Sequence, residues 1–253
     1  MTRVIAVTNQ KGGVGKTTTA INLAACLAEA GVRVLLVDLD PQANASAGLG
    51  VRGRESELST YGVLAGETSV SKAVVPTAVT GLDLLPACAD LAGAVAELVD
   101  VDGGDFVLAQ ALDGQLAGYQ FVFIDCPPSL GVLTVNALAA AREVLIPVQA
   151  EYYALEGLAQ LLDTVALVRR RLNPDLQVLG VLVTMLDGRT RIAREVAAEV
   201  REHLPTSVFD VAVPRNVRLA EAPSHGLPIS RYDAGCAGSD AYFDLAKEVV
   251  SRG

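Results

Sequence analysis

Residues 9–19, with the sequence NQKGGVGKTTT, constrain the fold more than any other stretch of the chain. An apolar run, VIAV, precedes them, and the residues after them show the 3.6-residue periodicity of a helix that ends at Gly31. Glycines at positions 12, 13 and 15 allow backbone N–H groups to surround an anion at the amino end of that helix. The stretch therefore predicts a phosphate-binding loop between a strand and a helix.

Two lysines and a threonine give this loop its chemistry. It nearly matches the pattern G-x-x-x-x-G-K-[ST], but Gln10 stands where the pattern has its first glycine. Lys16 is predicted to reach the β- and γ-phosphates of a nucleotide, and the Thr17 hydroxyl to bind Mg²⁺. The additional Lys11 lies at the start of the loop, where its side chain would project either into solvent or towards phosphates held by a second subunit. The loop residues by themselves leave both alternatives open.

Apolar strands and amphipathic helices alternate along the chain. Strand-like runs occur at RVIAVTN, RVLLVDLD, LDLLPA, QFVFIDC, EVLIPVQ and VLGVLVTML, and helix-like stretches lie near 90–116, 131–141, 154–172 and 189–203. Such alternation is typical of a mostly parallel sheet covered by helices on both faces. We therefore predict an α/β fold of the P-loop NTPase type, with a twisted, mostly parallel sheet, in a single domain that spans residues 1–253. Ligands of such a sheet gather at the carboxyl ends of its strands.

Three aspartates lie at the ends of predicted strands. Asp125 ends the run FVFI, and its carboxylate is predicted to emerge at the carboxyl edge of the sheet, where it would hold Mg²⁺ or cap a turn. Asp38 and Asp40 end the run VLLV two residues apart, so their side chains point roughly the same way. One of them would position an attacking water molecule, although an aspartate before Pro41 is also a common turn residue.

Charge is unevenly distributed along the chain, whose formal net charge is −9. No lysine or arginine occurs between Ala73 and Ala141, whereas seven arginines and five acids lie between Arg189 and Arg231. The arginine-rich segment is interpreted either as solvated helix faces with intrahelical ion pairs or as a patch that binds a polyanion.

Several classes of protein are disfavoured by the sequence. The longest apolar runs, such as VLGVLVTML, are about half of the roughly 18–20 residues that a membrane span needs. No secretory signal follows Met1, so we expect a protein that stays in the cytoplasm. The four cysteines are far apart and form no C-x-x-C pair, which argues against a zinc site or a disulfide framework.

The motifs together resemble those of the ParA/Soj-type chromosome and plasmid partition ATPases, a deviant-Walker-A group that also includes MinD. The matching blocks are NQKGGVGKTTTAINLA, VLLVDLDPQ, IDCPPSLG, PVQAEYYALEGL, VLVTMLDGRT and PRNVRLAEAPSHG, in family order and over essentially the whole chain. The resemblance implies an ATP- and Mg²⁺-dependent ATPase that forms an ATP sandwich dimer. It also implies non-specific binding of double-stranded DNA on the nucleoid, a ParB/Spo0J-type partner that stimulates hydrolysis, and no membrane binding.

The resemblance also implies a role for each matching residue. Lys11 becomes the signature lysine that reaches the partner subunit's phosphates, Asp40 acts in hydrolysis, and Asp125 is the Walker B acid, with Asp38 as a further acid on the Mg²⁺ side. The resemblance implies that adenine is contacted by Pro214 and Asn216, and DNA by Arg189 and Arg218. It implies that the phosphates are contacted by Gly12, Gly13, Val14, Gly15, Lys16, Thr17 and Thr18.

Two departures and two alternatives accompany this interpretation. Ala43 stands where relatives often have glycine, and the segment between Ala73 and Ala141 lacks basic residues. A MinD-like membrane-cycling ATPase is the main alternative, but the C-terminal segment SDAYFDLAKEVVSRG mixes acids with few bases and predicts a helix docked on the core. The second alternative is a metabolic P-loop enzyme or an iron–sulfur carrier, and Cys126 is its only support.

Overall fold

A sheet of eight strands forms the centre of the computed structural model, which describes residues 2–52, 55–99, 101–151, 154–187 and 207–252, together with 195, 198 and 202. The strand order is β3-β4-β2-β5-β1-β6-β7-β8, and every pairing is parallel except that of β3 with β4. The strands are β1 (Arg3–Val7), β2 (Val34–Asp38), β3 (Val75–Pro76), β4 (Leu82–Leu85), β5 (Phe121–Asp125), β6 (Glu143–Gln149), β7 (Gln177–Leu186) and β8 (Val208–Pro214).

Helices cover both faces of this sheet. The described α-helices are α1 (Lys16–Glu29), α2 (Asn44–Gly48), α3 (Thr60–Leu64), α4 (Val70–Ala73), α5 (Leu91–Val99), α6 (Val107–Leu112), α7 (Val132–Ala140), α8 (Ala154–Arg171), α9 (Val217–Glu221), α10 (Ile229–Tyr232) and α11 (Ala237–Ser251). Short 3-10 helices occupy Ser56–Leu58, Gly104–Phe106 and Ala222–His225.

The α/β fold and its mostly parallel sheet are confirmed, and all six predicted strands are present. The prediction of one helical stretch over 90–116 is wrong in its middle. A turn around Gly103, which adopts a left-handed φ of 77°, separates α5 from the helices that follow. Two strands, β3 and β8, were not predicted because their alternation is short or broken by polar residues. Of the helix predicted at 189–203, only residues 195, 198 and 202 are among the described residues, and all three are helical.

Two hydrophobic cores form because each parallel strand places alternate side chains on opposite faces of the sheet. On one face, Leu35, Val37 and Ile124 pack with α5, α6, α7 and α8. On the other face, Leu36 and Phe123 pack against α1 and α11. Every residue of α1 from Thr19 to Ala28 is buried, so the helix that follows the phosphate loop is fixed firmly against the sheet.

The C-terminal helix α11 belongs to this second core. Tyr242, Leu245 and Val249 are fully or almost fully buried, and the Tyr242 hydroxyl lies 3.2 Å from Thr19 Oγ1 on α1. The prediction that this segment docks on the core is therefore confirmed. Among the described helices, none is long and apolar enough to cross a bilayer.

The sheet register brings the predicted acids to one edge. Asp38 is opposite Asp125 in the pairing of β2 with β5, and Val7 is opposite Asp125 in the pairing of β1 with β5. The phosphate loop starts two residues after Val7, so it leaves the same edge between these strands. This carboxyl edge is where a parallel α/β sheet binds its ligands.

Candidate functional site

The predicted phosphate loop curls at the amino end of α1. Gly13 and Gly15 adopt left-handed φ values of 77° and 89°, which a residue with a side chain would reach only with strain. Asn9 fastens the start of the loop, because its Nδ2 donates to Pro147 O at 2.7 Å and its Oδ1 accepts the Lys11 N–H at 3.0 Å. Thr184 fastens the other side by donating to Val14 O at 2.8 Å. The loop is therefore held to β6 and β7 independently of any ligand.

Lys16 lies inside this loop and is only 6% exposed. Its ammonium donates to Lys11 O at 3.1 Å. Burial lowers the pKa of Lys16, and the opposing influences of Asp125, Cys126 and Asp40 limit that fall. A buried cation beside a ring of backbone N–H groups is the arrangement that a polyphosphate requires.

Two adjoining cavities open from the loop. The first has a volume of about 610 Å³, is lined by loop residues and Asp40, and is closed by the segments around α2 and Pro223. The second has a volume of about 350 Å³ and is lined by Pro214, Asn216 and residues of α9. Gly15, Thr18 and Met185 line both cavities. Together they form one groove that runs from the phosphate loop to the residues predicted to contact adenine.

Met185 was not predicted as a site residue. It has a left-handed φ of 51°, a conformation that is uncommon outside glycine and that clusters at functional sites. Its position between the cavities follows from this backbone turn at the end of β7. The sequence VLVTML gives no signal of that turn, because it continues the apolar pattern of a strand.

Asp125 is completely buried behind the loop. Neither of its carboxylate oxygens accepts a hydrogen bond from any described residue. Burial and then the neighbouring Asp38 raise the pKa of Asp125 well above its ordinary value, while the nearby Thr17 hydroxyl and Lys16 oppose the rise. A buried carboxyl group with free lone pairs is costly unless a cation completes it, so the residue fits a hard metal ion.

Asp38, next to Asp125, already has partners for both of its oxygens. Oδ2 accepts the N–H and the hydroxyl of Ser46, both at 2.7 Å, and Oδ1 accepts the Asp40 N–H at 3.2 Å. Burial raises the pKa of Asp38 to about 6, and the hydrogen bonds from Ser46 and Asp40 moderate this effect. As a direct metal ligand it is therefore less suited than Asp125.

Asp40 is one of the residues that line the first cavity. Its Oδ1 accepts the Gln42 N–H at 3.0 Å, and its carbonyl oxygen accepts the Ala43 N–H at 2.8 Å. Ala43 has a left-handed φ of 52°, so the alanine noted in the sequence occupies a conformation that glycine adopts more easily.

Comparisons with known proteins agree with this geometry. Residues 2–178 match a family model described as an AAA domain. The sporulation initiation inhibitor protein Soj of Bacillus subtilis is 53% identical over 253 residues, which is 100% of both chains. The chromosome partitioning protein ParA of Caulobacter vibrioides is 52% identical over 252 residues, which is 99% of this chain and 94% of that protein. The chain belongs to the Soj/ParA family of chromosome-partitioning ATPases.

A solved structure extends the comparison to the fold. Cobyrinic acid a,c-diamide synthase of Mycobacterium smegmatis, solved with bound ADP and magnesium, superposes with a TM-score of 0.85 at 42% sequence identity. The match covers 98% of this chain and 93% of that one. The resemblance and the fold class inferred from the sequence are thus confirmed, and the enzyme is an ATPase of the Soj/ParA type.

In this Soj/ParA ATPase, Lys11 forms an ion pair at the protein surface. Its ammonium donates to Glu151 Oε2 at 2.5 Å, and both side chains are about half exposed. Sequence reasoning missed Glu151, which is distant in the chain and lies just beyond β6. Lys11 is thus held at the surface by a residue of its own chain, whereas Lys16 contacts the backbone of the loop.

Only one of the two arginines predicted to contact DNA is among the described residues. Arg189 lies outside the described residues. Arg218, at the start of α9, forms ion pairs with Glu221 at 2.9 Å and Asp233 at 3.3 Å. Asn216 caps the same helix, because its Oδ1 accepts the Arg218 N–H at 2.8 Å.

The cluster-carrier alternative gains no support from Cys126. Its thiol is fully buried, and burial, followed by the charge of Asp125, raises its pKa. A ligand of a cluster shared between subunits needs an exposed thiolate, so this cysteine is better explained as a small residue of the core.

Proposed function

We propose that this chain binds ATP along the groove formed by the two cavities, with its phosphates in the loop and its adenine beside Pro214 and Asn216. Support comes chiefly from the continuity of that groove, in which Gly15 and Thr18 belong to both cavities. Backbone N–H groups from Gly12 to Gly15, including that of Val14, would surround the phosphates, and Lys16 would exchange its contact with Lys11 O for a phosphate oxygen.

Mg²⁺ fits the same site. Asp125 supplies two buried oxygens without partners, and Thr17 contributes a hydroxyl beside it. Asp38, whose oxygens accept three hydrogen bonds, would stand behind these ligands. When bound, the ion would neutralise charge on the β- and γ-phosphates. Asp40 lines the cavity and would orient the water that attacks the γ-phosphate.

A second subunit would complete the site. In this proposal Lys11 leaves Glu151 and reaches the phosphates of the partner subunit, as the family resemblance implies. The exchange is inexpensive, because an exposed ion pair contributes only about 0–1 kcal/mol. A buried, charge-assisted contact with phosphate in a closed dimer is stronger, so bound ATP would favour the dimer.

At the cellular level, the proposed output is DNA segregation. The ATP-bound dimer would bind nucleoid DNA non-specifically, and a ParB/Spo0J-type protein bound to centromere-like sites would stimulate hydrolysis and release. Phosphate contacts of this kind give dissociation constants on the order of 10⁻⁴ to 10⁻⁶ M at physiological salt. The MinD-like alternative is disfavoured because the apolar face of α11 is buried in the core and not available to a membrane.

Co-sedimentation distinguishes the two proposals. Purified protein would be mixed with random-sequence DNA or with anionic liposomes, each with and without ATP–Mg²⁺, at low and moderate salt. We expect ATP-dependent, salt-sensitive sedimentation with DNA and none with liposomes. Sedimentation with liposomes alone would favour the MinD-like function, and sedimentation with neither would favour a metabolic enzyme.

An Asp40→Ala variant is expected to accumulate as a long-lived dimer after addition of ATP–Mg²⁺. Loss of the group that orients water should slow hydrolysis by about 10²- to 10⁴-fold while the phosphate contacts remain intact. Light scattering coupled to size exclusion would measure the dimer. The double variant Lys11→Ala, Asp40→Ala is the matched control and should remain monomeric. A monomeric Asp40→Ala variant that still binds ATP would contradict the proposed cycle.

Charge reversal in the arginine-rich segment should weaken DNA binding unequally. For Arg189→Glu we expect at least about tenfold lower affinity and a salt slope that falls by about 1. Arg218→Glu should have the smaller direct effect on binding, because the Arg218 guanidinium is already engaged by Glu221 and Asp233. Lys72→Glu makes the same charge change outside the segment. Equal affinities for all three variants as ATP-bound dimers would exclude the segment as the DNA contact.

A further inference from the structure

Ser46 lies at the centre of a buried hydrogen-bond network that has no assigned role. It is only 2% exposed and belongs to the short helix α2, in the segment that closes the first cavity. Its hydroxyl contacts Asp38 Oδ2 at 2.7 Å and the Ala87 N–H at 3.0 Å. Ser46 therefore joins three separate parts of the chain, namely the end of β2, the segment after β4 and the cavity wall.

The direction of each hydrogen bond in this network is fixed. The Ala87 N–H can only donate, so the Ser46 oxygen accepts from it and the Ser46 hydroxyl proton must point to Asp38. The Ser46 N–H donates to the same carboxylate oxygen at 2.7 Å. Both donors therefore hold Oδ2 of Asp38 on the side of α2.

This arrangement separates the two buried carboxyl groups. Asp38 and Asp125 are opposite each other on adjacent strands. Asp38 accepts three hydrogen bonds from its own chain, whereas neither oxygen of Asp125 accepts a hydrogen bond from a described residue. Of this pair, Ser46 engages Asp38, and Asp125 is the acid with free oxygens at the carboxyl edge of the sheet.

The same network reaches Asp40. Oδ1 of Asp38 accepts the Asp40 N–H at 3.2 Å, so one carboxylate is attached both to the backbone of Asp40 and to α2. We propose that Ser46 is a positioning residue for ATP hydrolysis, which holds Asp38 and thereby fixes the Asp40 turn against the nucleotide groove. This inference rests on the proposed role of Asp40 in orienting water.

If Ser46 positions Asp40, loss of its hydroxyl should lower ATP turnover and leave nucleotide binding intact. The phosphate loop is fastened by Asn9 and Thr184, neither of which contacts Ser46. Removal of the Ser46 hydroxyl should therefore leave nucleotide affinity nearly unchanged. It should loosen the Asp40 turn, and a small misplacement of a group that orients a reactant lowers turnover disproportionately.

The test compares Ser46→Ala, Ser46→Thr and Ser59→Ala. For Ser46→Ala we expect turnover lowered by about 10- to 100-fold, with the dissociation constant of a non-hydrolysable ATP analogue changed by less than about threefold. Ser46→Thr, which keeps the hydroxyl, should recover most of the turnover. Ser59→Ala removes another buried hydroxyl, one that bonds to Ser56 O and lies outside the groove, and should lower thermal stability without lowering turnover.

Three outcomes would overturn the inference. They are wild-type turnover in Ser46→Ala, an equal loss of turnover in Ser59→Ala, and a loss in Ser46→Ala explained entirely by weaker nucleotide binding. A double-mutant cycle with Asp38→Asn covers the case of a poorly folding variant, because additive losses would show that Ser46 does not act through Asp38. Failure of the proposed function is separate, since it would appear as full turnover in Asp40→Ala.

Discussion

Replacement of Lys16 by alanine should abolish measurable ATP turnover in this enzyme. The ammonium is the buried cation of the phosphate loop, and removal of one preorganised donor from a transition-state site typically lowers the rate by about 10²- to 10³-fold. A further loss is expected here, because Asp125 and Asp40 would lose the positive charge that faces them. Binding should weaken as well, since a hydrogen bond to a charged group contributes about 1.5–3 kcal/mol.

Phosphate release and calorimetric titration with ATP–Mg²⁺ would measure the two effects of Lys16→Ala separately. Lys247→Ala is a suitable control, because that lysine is exposed and pairs with Asp244 on the outer face of α11. It should retain wild-type turnover. Full activity in Lys16→Ala would remove the assignment of this loop as the catalytic phosphate site.

The phosphate loop could be predicted from the sequence because its determinants are local. The left-handed turns at Gly13 and Gly15, the lysine and the helix that follows are all within a few residues of one another. The strand ends that carry Asp38 and Asp125 could also be predicted from the sequence, because continuous apolar runs mark parallel strands and the fold brings their carboxyl ends to one edge.

Partners of the site residues could not be predicted in the same way. The Asp38 carboxylate is held by Ser46, and no local pattern indicates that the chain turns back after Asp40 to make that contact. Lys11 and Glu151 are separated by 140 positions, and their contact depends on β1 and β6 being neighbours in the sheet. Met185 joins the two cavities only because its backbone leaves the strand conformation. Each of these features depends on tertiary structure.

Substitution of Asp125 by asparagine is expected to change activity and stability in opposite directions. Turnover should fall by about 100-fold or more, because the amide is a poor ligand for Mg²⁺ and carries no charge. The free energy of unfolding of the metal-free protein should rise by on the order of 1 kcal/mol near neutral pH. The reason is that a carboxyl group whose charged form is disfavoured by burial beside Asp38, and which accepts no hydrogen bond from the described chain, is replaced by a group that does not ionise.

The pH dependence of stability gives the sign of this effect. The pKa of Asp125 is raised in the folded protein, so the native state binds more protons than the unfolded state above the ordinary value of 3.8. The stability of the wild type should therefore fall as pH rises from about 4 through the raised pKa. The stability of Asp125→Asn should fall less steeply with pH. Some fall should remain, because the pKa of Asp38 is also raised, to about 6.

Thermal melts at pH 5 and pH 8, with and without Mg²⁺ alone, would test both signs. Mg²⁺ should raise the melting temperature of the wild type more at pH 8 than at pH 5, because the ion binds the deprotonated carboxylate, and it should have little effect on Asp125→Asn. Asp244→Asn is the control, since that carboxylate is exposed and pairs with Lys247. An Asp125→Asn variant that is less stable than the wild type at pH 8, yet still stabilised by Mg²⁺, would show that the metal is held elsewhere.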